Sequence, residues 1–74
     1  MQFERITFDP AVMGGKPCIR GMRVTVGTIV GLAGAGKSVE DILAAYPYLE
    51  REDIAQSLKY AALRAQEKEL PLAS

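Results

Sequence analysis

From Arg51 to Glu69 apolar side chains (Ile54, Leu58, Ala61, Ala62 and Ala65) return every three or four residues, with Glu52 and Asp53 at the end where a helix dipole favours negative charge. That is the longest regular pattern in the sequence, and it predicts an amphipathic helix around which the rest must fold. Two shorter helical patterns precede it. Val26, Ile29, Val30 and Ala33 lie between Thr25, placed to cap a helix, and Gly36, placed to end it. Val39, Ile42 and Leu43 follow the cap residue Ser38, with Glu40 and Asp41 in the first turn, and Tyr46-Pro47 marks the stop. Leu49 is placed to staple the entry of the last helix against Ile54. A three-helix core over residues 25–69 is expected, its last two members forming short helix, turn, longer helix, the helix-turn-helix order. Residues 70–74 read as a frayed tail.

Residues 1–24 read as a β-bearing basic arm. Phe3 to Phe8 alternates imperfectly and suggests a short edge strand. Asp9-Pro10 suits the start of a single helical turn that Gly14-Gly15 would end. Lys16 to Arg20 could then run back along the first strand, with Pro17 restricting the pairing and Gly21 permitting the next bend. The fold class expected is mainly α, one domain over residues 1–74, with a short N-terminal strand or hairpin.

A chain of 74 residues has a thin core, so a partner surface would add useful stability and self-association is expected. Its formal charge is zero, but the charges are segregated. Up to Lys37 the bases Arg5, Lys16, Arg20, Arg23 and Lys37 outnumber Glu4 and Asp9, while the acids Glu40, Asp41, Glu50, Glu52, Asp53, Glu67 and Glu69 dominate the remainder. Such a dipolar chain could set a basic arm on phosphate and offer acidic helices to a basic protein. Cys18 is the single cysteine and histidine is absent, which excludes an internal disulfide and the usual zinc ligand sets. A cytoplasmic protein with no export leader and no membrane span is expected.

Gly31-Leu32-Ala33-Gly34-Ala35-Gly36-Lys37-Ser38 matches the phosphate-loop pattern, in which backbone amides cradle phosphates, Lys37 reaches them and Ser38 holds magnesium. That loop requires a parallel sheet and a later strand ending in a metal-holding Asp, which the sequence lacks. A nucleotide-binding module is therefore the minor alternative, and a helix end followed by a cap is the simpler reading. Gly14 to Arg23 is denser in signal, with three cations and three glycines in ten positions. Lys16, Arg20 and Arg23 could contact an anion such as DNA phosphate; equally, Arg20 and Arg23 could pair with Asp9, Glu40 or Asp41 and pin the arm to the helices. In the last helix Lys59, Arg64 and Lys68 could face phosphate, although Glu52 and Asp53 occupy the end that a recognition helix presents to bases. Tyr46, Tyr48 and Tyr60 could stack bases but are placed more like core edge. Cys18 has no histidine to activate it. No catalytic residue, metal or cofactor is expected.

The residues Arg5-Ile6-Thr7, Asp9-Pro10, Gly14-Gly15-Lys16-Pro17-Cys18-Ile19-Arg20-Gly21, Arg23-Val24, Ser38, Glu40-Asp41-Ile42-Leu43 and Tyr46-Pro47 together resemble the short bacterial proteins called domain of unknown function four-three-three. The likeness runs from Arg5 to Ala62. It implies a homeodomain-like three-helix bundle with a helix-turn-helix, and frequent pairing with a PIN-like nuclease toxin. The implied role is an antitoxin that neutralises that toxin and could bind DNA as a homodimer; a homo-oligomeric structural adaptor is a further alternative. The family signature falls on Gly14, Gly15, Lys16, Pro17, Cys18, Ile19, Arg20, Gly21 and Arg23. This chain departs from the family at Thr25, where relatives commonly have Pro, at Glu50, where they often have a Thr cap, and in its glycine-rich first helix.

Overall fold

The computed structural model describes residues 3–67; the expected tail, Lys68 and the end of the last helix at Glu69 lie outside them. The order is β1 (Ile6–Thr7), a 3-10 turn (Met13–Gly15), β2 (Cys18–Ile19), α1 (Val26–Gly34), α2 (Val39–Ala45) and α3 (Arg51–Glu67). The fold is mainly α, three helices with a two-stranded antiparallel arm.

Local chemistry accounts for the helix ends. Thr25 caps α1, its hydroxyl accepting from the Thr28 amide at 3.0 Å. At the other end Gly36 takes φ +91° while its amide donates to the Ala33 carbonyl and the Lys37 amide to the Leu32 carbonyl. This is the paired Schellman closure, which needs a residue at ease in left-handed backbone. Ser38 and Asp41 form a reciprocal capping box at the start of α2. Leu49 and Ile54, the staple positions, are both in the core.

The arm departs from expectation in two places. Instead of a strand from Phe3 to Phe8, only Ile6–Thr7 pairs, because Ile6 N bonds back to Phe3 O at 3.0 Å and turns residues 3–5 onto α3. The helical turn expected from Asp9-Pro10 sits later, at Met13–Gly15. Asp9 still accepts from the Ala11 amide, but it forms a tight turn closed by Val12 N to Asp9 O, and positive φ at Met13, Gly14 and Gly15 prevents right-handed continuation. The return of the chain is as expected: β2 pairs antiparallel with β1, Ile6 opposite Ile19 and Thr7 opposite Cys18.

The other edge of β2 is used as well. Arg20 and Gly21 both take positive φ, as in hairpin turns of the primed types, and Met22 N reaches Ile19 O at 2.8 Å. Ile19 N then bonds Val24 O, and Pro17, which has no donor of its own, accepts from Val26 N. The middle strand is thereby held on both sides. Ile6, Ile19, Val24, Val26, Ile29, Ile42, Leu49 and Ile54 form the buried core, drawn from both strands, the second hairpin, the turn before α3 and all three helices. Burying each such side chain contributes roughly 1.5–3 kcal/mol, so the arm is part of the folding unit.

Candidate functional site

The densest polar constellation is built around Asp53, in the first turn of α3 and 0% exposed. Its position follows from helix phase, since Asp53, Ile54 and Ser57 share the inward face of α3. Arg5 Nη1 donates to Oδ1 at 3.0 Å, Arg20 Nε to Oδ1 at 3.1 Å, Arg20 Nη2 to Oδ2 at 2.9 Å and the Glu50 amide to Oδ2 at 2.8 Å. Two donors on each oxygen fill the acceptor capacity of a carboxylate. Burial alone would push the Asp53 carboxyl up; the Arg20 guanidinium, the Glu50 amide and the Arg5 guanidinium outweigh it and hold the group below its ordinary value.

The same contacts dock the arm along α3. Arg5 also reaches Glu50 at 2.6 Å, its amide donates to Gln56 Oε1 at 3.1 Å, and Arg20 Nη2 donates to the Tyr48 carbonyl at 3.0 Å. Phe3 and Phe8 pack against the Tyr60 ring, with centroids 5.4 and 6.0 Å away. The Gly21 amide is held by Thr7 Oγ1 at 2.8 Å. Tyr60 is thus core edge, as expected, and so is the half-buried Tyr46, whose ring meets that of the exposed Tyr48.

Of the residues singled out from sequence, Arg20 has its side chain in the arm clamp, with Asp53 as its partner rather than Asp9, Glu40 or Asp41. Arg23 pairs with none of these three. Lys16 and Arg23 are exposed and form no ion pair among the described residues. They stand at opposite ends of the hairpin centred on residues 20–21. Lys59 and Arg64 are exposed on α3. The Gly14–Arg23 run divides cleanly: Gly14, Gly15 and Gly21 supply positive φ, Cys18 and Ile19 are buried, the Pro17 carbonyl holds Val26, and Arg20 holds Asp53. Lys16 and Arg23 are the members to which the fold gives no task.

The phosphate-loop geometry is not formed. Val26–Gly34 is helix, the Gly36 and Lys37 amides close that helix, and Ser38 Oγ caps Asp41. The groups that would cradle phosphate and magnesium are used in helix ends. An open concavity of about 440 Å³ lies beside them, lined by Leu32, Lys37, Asp41, Ile42, Ala44 and Ala45. No group of three or more metal-ligating side chains gathers among the described residues, and no helix there is long and apolar enough to cross a membrane. Asp53 and Arg5 were missed as a pair from sequence. The available signal was the phase that puts Asp53 beside Ile54 and Ser57, which obliges a buried acid to find cations.

A family model described as protein of unknown function (DUF433) matches residues 6–61, the segment holding both strands, α1, α2, the Arg20–Asp53 pair and the first eleven residues of α3. The chain belongs to the DUF433 family. This DUF433 chain is also 41% identical over 58 residues to the uncharacterized protein y4eO of Sinorhizobium fredii (strain NBRC 101917 / NGR234). The match covers 78% of this chain and 26% of that protein, so the DUF433 chain spans about a quarter of its relative's length. No solved structure matches it.

Proposed function

We propose that this DUF433 domain is a non-catalytic, antitoxin-like binding protein that neutralises a PIN-like nuclease toxin and contacts DNA phosphate through its basic arm beside the helix-turn-helix. The observation that carries this reading is the division of the arm's cations: Arg5 and Arg20 are spent on Asp53, whereas Lys16 and Arg23 point charge outward with no internal partner among the described residues. Exposed cations on a rigid hairpin suit backbone phosphate. The start of α3 does not, because Glu52 is an exposed acid, Asp53 is buried and Arg51 is paired with Glu40. The DNA contact is therefore with phosphate rather than base edges, and the acidic ends of α2 and α3 are the surface suited to a basic protein partner.

Two measurements test the two halves. Co-expression with the nuclease encoded by a neighbouring gene, followed by pull-down and a nuclease assay, is expected to give a stable, inactive complex; no complex removes the antitoxin role. Titration with promoter duplex at several salt concentrations is expected to show affinity falling with salt, and Lys16→Ala with Arg23→Ala to flatten that slope by about 2 per bound copy. A wild-type chain that ignores DNA at low salt removes the phosphate contact.

A further inference from the structure

Helix α3 has a second apolar stripe that the other described residues leave exposed. Inward it presents Asp53, Ile54 and Ser57. Outward, Ala55, Leu58, Ala62 and Ala65 recur at three, four and three, the spacing of a coiled-coil seam, with Leu58 39% exposed and Ala62 and Ala65 exposed. Leu63, 38% exposed, flanks a shallow hollow of about 280 Å³ that it lines with Lys59, Ala62 and Gln66. The charges beside the seam select what can cover it. Glu52 and Lys59 lie seven residues apart, two turns along the same side of α3, both exposed and both without an ion pair among the described residues.

We infer that the occupant is a second copy of this chain, joined α3 to α3 in antiparallel orientation about a two-fold axis that passes near residues 55–56. In that register Glu52 of each copy meets Lys59 of the other, giving two equivalent ion pairs, and Leu58 packs on the small Ala55 across the seam. Tyr48, exposed just ahead of α3, falls opposite the Ala62–Ala65 end. A parallel pair would instead set Glu52 level with Glu52 and Lys59 level with Lys59. The antiparallel arrangement also opposes the two helix dipoles. This inference shares Glu52 with the acidic surface proposed for a protein partner, but its test needs neither toxin nor DNA.

The test is sedimentation or light scattering on wild type, Glu52→Lys, Lys59→Glu, Leu58→Asp and the two single charge variants mixed, with circular dichroism confirming a folded helical chain in each. Wild type is expected to dimerise. Each charge reversal alone should raise the dissociation constant on the order of tenfold, and Leu58→Asp by more, because it places a charge in the seam. The 1:1 mixture of Glu52→Lys with Lys59→Glu should regain dimer, since every cross-pair is again of opposite sign. A monomeric wild type overturns the inference, as would result from coverage of this face by the chain's own residues 68–74. So does a dimer indifferent to Leu58→Asp, or a mixture that fails to recover.

Discussion

Arg20 is a residue with a side chain placed where backbone sterics favour none. Its φ of +46° costs about 1–2 kcal/mol for an L-residue, so the contacts it makes in that pose must exceed this. They are two bonds to a fully buried carboxylate and one to the Tyr48 carbonyl. Replacing Asp53 by Asn removes the charge while keeping the shape, leaving two guanidiniums facing an amide that donates as well as accepts. Both arginines keep some access to water, which puts the loss at about 2–4 kcal/mol, below that of a wholly buried pair. A domain this small has a core worth only about 3–5 kcal/mol, so a large unfolded fraction is expected for Asp53→Asn in denaturant titration. A midpoint within error of wild type would refute the clamp. Arg20→Lys, a point charge without the planar fork, should lower the midpoint by less than Asp53→Asn does in the same measurement. Helix phase hinted that Asp53 is buried, but which cations meet it was not legible there. An acid in the first turn of a helix is explained equally well by the dipole, and its partners lie 33 and 48 residues away.

At the scale of elements, what was legible is what is decided within a few residues. Thr25, Ser38 and Gly36 bound their helices because a hydroxyl reaching an amide and a left-handed residue closing two carbonyls are local events. Ser38→Ala is expected to lower stability by about 1 kcal/mol, through the loss of one reciprocal bond at the start of α2. Gly36→Ala should lose about 1 kcal/mol for a different reason: a Cβ there meets nothing within 4 Å, so the penalty is backbone conformation alone. Gly36→Asn, better suited to that region, should lose less, and an equal loss for both would argue against the closure described. The phase of α3 was read only in part. The three- and four-residue spacing fits two neighbouring faces of one helix, and the core took Asp53, Ile54, Ser57 and the half-buried Ala61 while Leu58, Ala62 and Ala65 were left outside. Periodicity finds the helix, but a polar pair 48 residues apart turns it. The arm's short strands were harder still, because the turn at residues 3–5 exists to dock Phe3 and Arg5 on α3, a contact with no local signature.

For the whole molecule, the clamp ties the arm to the longest helix through ionisation, so its contribution has a direction in pH. Asp53, Glu40 and Asp41 are all held below their ordinary carboxyl values; Asp53 is the buried one, and its charge is what Arg20 and Arg5 are arranged around. A carboxyl whose folded value lies beneath its unfolded value stabilises fully above the ordinary range near 4. That stabilisation is lost as pH falls below it, through the depressed folded value, because the unfolded chain then binds protons that the folded chain refuses. The arginines are raised rather than lowered and stay charged throughout, so nothing offsets the loss at the clamp. Urea midpoints are therefore expected to be level from about pH 8 to 5 and to drop steeply below about 4. In Asp53→Asn the acid limb should be shallower, since the group whose protonation is resisted has gone, and the two curves should converge as pH falls. Parallel curves would assign the acid sensitivity to the exposed carboxyls Glu40 and Asp41 instead. Raising salt separates the two cases independently: it screens the pairs in water and leaves a carboxylate with four donors inside the protein nearly untouched.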